Sequence, residues 1–118
     1  MIDKLRADLI ADEGRVHKIY MCPAQHPTFG VGHMVKADDP ECGLPVRSFV
    51  SPERVEEALA KDINTCIEDC RYIFPRFDNY PEEVQLICCN MMFNLGLPRF
   101  SKFFKFRQSV EENRWLEA

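Results

Sequence analysis

No stretch of this 118-residue chain approaches the ~18 consecutive apolar residues that a membrane-spanning helix requires, so no stable membrane insertion is expected. The N-terminus does not read as a secretory leader either. MIDKLRADLIADEG carries Asp3, Asp8 and Asp12 where a leader needs an uninterrupted apolar segment, and synthesis in a cytoplasm is the expectation. Basic residues are in deficit, 15 against 19 acidic ones, for a net charge of −4. That balance argues against nucleic acid, whose phosphates are neutralised by a basic face. The six cysteines contain no CxxC pair and no cluster with zinc-ligand spacing. Neither a metal nor another cofactor is called for. Cys88 and Cys89 are adjacent, and Cys66 and Cys70 fall in a helical apolar pattern, so buried thiols are expected ahead of disulfides. Internal repeats and low-complexity segments are also missing.

What is present describes an ordinary globular chain, 46% apolar and 29% charged. A chain of this length buries about 60–70% of the surface its unfolded form exposes, enough for one good core.

Residues 3–12 read as a short helix with Ile2, Leu5, Leu9 and Ile10 inward, stopped by Gly14. Val16-His17-Lys18-Ile19-Tyr20 reads as a strand and Thr28-Phe29-Gly30-Val31 as another. Pro23, Gln25, His26 and Pro27 supply the turn between them. Residues 36–50 read as loop. Ser51-Pro52-Glu53 opens a long helix, with the Ser51 hydroxyl as cap and proline at the first helical position. Its stripe of Val55, Leu59, Ile63, Cys66, Cys70 and Ile73 has the period of a helix with one buried face, and Pro75 ends it. A further helix from Pro81 is apolar on nearly every side and closes at Gly96 and Pro98. Residues 99–109, with Phe100, Phe103, Phe104 and Phe106, predict one more, and Arg114-Trp115 the start of another.

Two features carry chemistry. Glu13 stands at a helix end, one residue before a glycine and just ahead of a strand. A carboxyl there can face a groove while its backbone is held, and partial burial would favour the protonated form that an acid catalyst needs. Thr28-Phe29-Gly30-Val31-Gly32-His33 places two glycines on alternate strand residues, which suggests a close backbone approach or a ligand groove. It is not a dinucleotide fingerprint, because the third glycine and the following helix are missing. His33 reads more readily as a structural partner than as a catalyst, and Asp62 on the long helix would suit it as a pair.

With these residues in view, the chain resembles the phage-type lysozymes, the T4-like endolysin family (glycoside hydrolase family 24). The resemblance rests on Glu13-Gly14, Lys18-Ile19-Tyr20, Cys22-Pro23-Ala24 and Thr28-Phe29-Gly30-Val31-Gly32-His33. The family pattern is a glutamate, eight residues, an Asp or Cys, five residues and a threonine, met here by Glu13, Cys22 and Thr28. It continues through Ser51, Asp62 and Asn90-Met91-Met92-Phe93-Asn94-Leu95-Gly96, and reappears more weakly at Arg114-Trp115. Members of this family usually continue for several more helices past that tryptophan, so the core of this chain would be incomplete or completed by residues beyond Ala118. Without them, association through uncovered C-terminal apolar faces would replace a monomer.

The resemblance implies an α+β lysozyme-like fold: a small sheet-containing N-terminal lobe at about 12–50, a connecting helix at about 51–74, and a helical C-terminal lobe at about 78–118 together with helix 3–12. Glycan would lie between the lobes. It also implies hydrolysis of the β-1,4 linkage between N-acetylmuramic acid and N-acetylglucosamine in peptidoglycan, the partner being the glycan strand. Glu13 would protonate the departing oxygen, Thr28 would hold a water on the opposite face, and Gly30, His33, Phe93 and Asn94 would line the substrate. Cys22 would position water, stabilise positive charge as a thiolate, or attack the sugar; the first two are favoured because the family accepts either Asp or Cys there. Action on the wall would follow membrane permeabilisation of a host cell. The competing readings are a lysozyme-fold protein that binds glycan or builds phage structure without catalysis, and an intracellular helical interaction module.

Overall fold

The structure, a computed structural model, describes residues 1–102. The expected helix at 99–109 beyond its first residues, and the segment at Arg114-Trp115, lie outside the described residues. The element order is α1 (Ile2–Glu13), β1 (Val16–Met21), β2 (Pro27–Gly30), β3 (His33–Met34), α2 (Pro52–Ile73), a 3₁₀ turn (Phe77–Asn79) and α3 (Glu82–Phe100). Three helices with a small antiparallel sheet make this an α+β fold of lysozyme type. No helix among the described residues is long and apolar enough to cross a membrane.

The chain divides into two compact units, Arg6–Asp62 and Met1–Leu5 with Ile63 onward. In the first, the strands order β1-β2-β3, all antiparallel. Tyr20 faces Thr28 and Met21 faces Pro27, while the register slips between Val16 and Tyr20. The expected single strand through Val31 is corrected: β2 ends at Gly30, and Val31-Gly32 form the turn into β3. Gly30 and Gly32 have φ of +64° and +65°, a left-handed conformation that ends a strand and that side chains resist. Residues 36–50 are turns, pinned to β1 by bonds from Arg47 N–H to the Ile19 carbonyl and from Val50 N–H to the His17 carbonyl.

The start of α2 is capped as its sequence requires, the Arg54 N–H donating to Ser51 Oγ at 3.1 Å. Its whole stripe, Val55, Leu59, Ile63, Cys66, Cys70 and Ile73, is buried. On α1, Leu5 and Leu9 are buried, but Ile2 is exposed rather than part of the inner face. In the second unit, α3 is less enclosed than its composition suggests. Val84, Cys88, Cys89 and Met92 are buried while Ile87 is exposed. Gly96, at φ 75° and ψ 161°, breaks the helix as expected, yet helical backbone resumes beyond it to Phe100. The core of this unit is aromatic: Phe74 packs edge-on to Phe100 at 5.9 Å between centroids, and Tyr80 packs against both Phe74 and Phe77.

Candidate active site

Glu13 is the last residue of α1 and is exposed. Its shielding is confined to one side, where the carboxyl lies against the Cα of Gly32. A Cβ added there would meet Glu13 Oε2 at 3.0 Å and the carboxyl carbon at 3.2 Å. Gly30 serves a different neighbour, since its missing Cβ would stand 3.2 Å from Val55 on α2. The two glycines thus make two close approaches, one to the acid and one to a helix.

Cys22 and Thr28 meet through a single carbonyl. The Cys22 N–H donates to the His26 oxygen at 3.0 Å, and the Thr28 hydroxyl donates to the same oxygen at 2.9 Å. The intervening turn closes with Gln25, at φ 62°, donating its N–H to the Cys22 carbonyl at 2.8 Å. The His26 ring in turn donates from Nε2 to the Val35 carbonyl at 2.8 Å, which ties the turn to the residue after β3. Thr28 is 2% exposed and Cys22 8%. The backbone amide of His26 bears on the Cys22 sulfur and draws its pKa below the ordinary thiol value. Burial works against this, and the Thr28 hydroxyl and Ala24 amide reinforce it.

Tyr20 joins these groups. It sits opposite Thr28 on β1 and is half-buried. Burial, then negative charge at Glu13 and at Cys22, pushes its phenol above the ordinary value, so the hydroxyl stays neutral at physiological pH. Sequence reasoning quoted this tyrosine within the motif and gave it no role. The signal that could have found it is strand alternation, which puts residue 20 on the face of residue 22.

His33 is 5% exposed and lies between two carboxylates, its Nδ1 donating to Asp62 at 2.7 Å and its Nε2 to Asp39 at 2.8 Å. Burial alone would lower its pKa, but the bonds to Asp62 and Asp39 and their charges outweigh it, and the net shift is upward. Asp39 continues the chain of charges to Arg54, which also grips Glu41 from Nε and a second nitrogen at 2.8 and 3.0 Å and lies 5.5 Å over the Phe29 ring. His33 is thus enclosed in a framework beneath the site. Neither Asp39 nor Arg54 was singled out from the sequence, because their pairing depends on how residues 36–50 return to α2. Among the described residues, no three His, Cys, Asp or Glu side chains are grouped to hold a metal.

Phe93 and Asn94 lie on α3, in the other unit. Phe93 is half-buried, and the exposed Asn94 donates its side-chain amide to the Asn90 carbonyl one turn back at 2.9 Å. That unit also holds a cavity of ≈ 370 Å³ lined by residues including Met1, Ile67, Arg71, Phe77 and Gln85, and none of the candidate site residues borders it.

The arrangement in the first unit is one exposed carboxyl held on a glycine, a donor-rich turn around a thiol, and a hydroxyl beside it. The phage lysozyme family profile matches residues 11–117, a span that begins just before Glu13 and takes in nearly all of the rest. The chain belongs to the phage lysozyme family. Probable T4-type lysozyme 2 of Dictyostelium discoideum is similar to this lysozyme-family chain, 26% identical over 137 aligned positions that take in the whole chain and 81% of the relative. Family membership carries glycoside hydrolysis of peptidoglycan as the general function.

Proposed function

We propose that this protein is a muramidase that cleaves the β-1,4 linkage between N-acetylmuramic acid and N-acetylglucosamine, with Glu13 as its general acid. The observation that carries the reading is the Glu13 carboxyl seated on Gly32. It leaves the acid open to a ligand on one side and shields it with backbone on the other. Cleavage of a glycosidic bond requires a proton at the departing oxygen, because an unprotonated sugar alkoxide is a poor leaving group.

Cys22 takes the place that a second carboxylate holds in most glycosidases. The downward shift of its pKa supports a thiolate that faces the positive charge developing on the sugar ring. The Thr28 hydroxyl keeps a lone pair that can accept from a water whether its one proton turns to the His26 carbonyl or to the Cys22 sulfur. Gly30 and His33 support the groove from the sheet, and Phe93 and Asn94 are substrate-binding candidates by their place in the family motif alone. The substrate would be bacterial cell wall, reached from the cytoplasm of a host cell after its membrane is permeabilised, as for a phage endolysin.

The test is clearance of a peptidoglycan suspension by the native protein and by Glu13→Gln. Loss of a general acid lowers the rate by about 10²–10⁴-fold. Equal clearance by the variant would remove Glu13 from this role.

A further inference from the structure

Leu44, Val46 and Phe49 are large apolar side chains close together in the chain, and all three are exposed, Phe49 to 74%. Their exposure does not come from a loose loop. The Ser48 N–H and hydroxyl both donate to the Pro45 carbonyl, at 3.2 and 2.6 Å, which closes residues 45–48 into a tight turn. That turn is fastened to β1, the Ile19 N–H donating to the Ser48 carbonyl at 3.0 Å and the Arg47 N–H to the Ile19 carbonyl at 2.8 Å. Phe49 stands directly opposite Lys18 across this antiparallel junction, so the two side chains project side by side from one face. Arg47 occupies the turn at φ 79°, a conformation that glycine adopts freely and arginine resists. The N–H groups of residues 44, 47, 48 and 50 all have acceptors within the protein, and Pro45 has no N–H to satisfy. Such a loop can enter a medium poor in water with few backbone donors left open.

Charge selects the medium. Neither residues 42–50 nor β1 contain an acid. Asp39 and Glu41, just upstream, are turned onto His33 and Arg54. Lys18 and Arg47 are exposed on the same stretch as the apolar side chains. Because the whole chain carries −4, a negative surface would repel most approaches and draw the molecule in by this basic face. We infer that the 44–49 turn is a peripheral docking tip for an anionic membrane surface. Phe49, Val46 and Leu44 enter the headgroup region, and Lys18 and Arg47 lie among the lipid phosphates. A soluble phosphate would leave the apolar side chains without a partner. A second copy of the patch would bring its own cations against these, with no acid from either stretch between them.

The full chain is sedimented with vesicles of phosphatidylglycerol and phosphatidylethanolamine, and with vesicles of phosphatidylcholine alone, at low and high salt. Support is binding to the anionic vesicles that exceeds binding to phosphatidylcholine and weakens with salt. Phe49→Ala should weaken it by about 10-fold through lost apolar area. Arg47→Gly should weaken it by about 5-fold, the effect of one basic residue at an anionic surface. Glycine suits the backbone at position 47, so this variant keeps the fold, and a thermal melt checks that it does. Tyr72→Ser, at an exposed site in the other unit, should bind as the native chain does. The inference is overturned by no sedimentation with anionic vesicles, by equal binding to phosphatidylcholine, or by native-like binding of Phe49→Ala or Arg47→Gly. An equal loss in Tyr72→Ser would also overturn it, as would lipid-free dimers that Phe49→Ala abolishes. No readout requires glycan cleavage, so the result stands apart from the muramidase reading.

Discussion

Replacing Gly32 by alanine separates two things that glycine does at that position. Its φ of +65° lies in the left-handed region, where any residue with a Cβ is strained by about 1–2 kcal/mol. The new methyl would also stand 3.0 Å from Glu13 Oε2 and 3.2 Å from the carboxyl carbon, tight enough that the carboxyl must give by a few tenths of an ångström. Because Glu13 is exposed, its side chain can swing away at little cost in stability, and the price falls on placement. Gly43 provides the control, with φ +87° and nothing within 4 Å of an added Cβ. Both Gly32→Ala and Gly43→Ala should therefore lose about 1–2 kcal/mol in urea melts. Only Gly32→Ala should lose lytic rate at a temperature where both are folded, by about 3–10-fold, since a ~1 Å displacement of a reacting group costs up to about two orders of magnitude and this one is smaller. Equal lytic rates in the two variants would refute the reasoning, and so would a Gly32→Ala deficit of several kcal/mol.

The buried charges predict a pH response. His33 has a raised pKa when folded, so its contribution is full below the unfolded value near ~6.5 and is lost as pH rises through the folded one. Asp39 is shifted downward: burial opposes this, but the Lys36 N–H and His33 prevail, so its contribution fades as pH falls through its depressed value. Urea melts from pH 2 to 9 should show both slopes. His33→Asn should cost about 3 kcal/mol near neutral pH by taking its partner from Asp62 and leaving Asp39 only Arg54 and the Lys36 N–H, and should flatten the alkaline decline. Arg54→Met keeps an unbranched side chain at this position but removes the guanidinium from Phe29 and from Glu41, which is 8% exposed. A loss of about 3 kcal/mol is expected at pH 7, shrinking in acid as Glu41 takes a proton, and thermal denaturation at the two pH values measures it.

The long helix was legible residue by residue, because a twenty-residue stripe of period 3.6 has few competing explanations. The hairpin was legible only to Gly30. A two-residue strand after left-handed glycines has no periodicity to detect, so β3 went unread and β2 was carried to Val31. The same limit governs the site. That a backbone approaches something closely at Gly32 can be read from glycine on a strand, but that the approaching group is Glu13 is a fact of three dimensions. The Glu13, Cys22 and Thr28 spacing was visible as a family pattern. Tyr20, Asp39 and Arg54 were not, since each owes its place to a partner supplied by strand pairing or by the return of the 36–50 loop.

The His26 oxygen accepts both from the backbone of residue 22 and from the side chain of residue 28. That makes the interval between a sulfur and a hydroxyl a property of one peptide unit, insulated from repacking elsewhere. Evolution or design could exchange the atoms at either end while leaving the ruler between them alone. An inserted residue anywhere from 23 to 26 would instead break the ruler, unhooking both ends together even with every side chain retained.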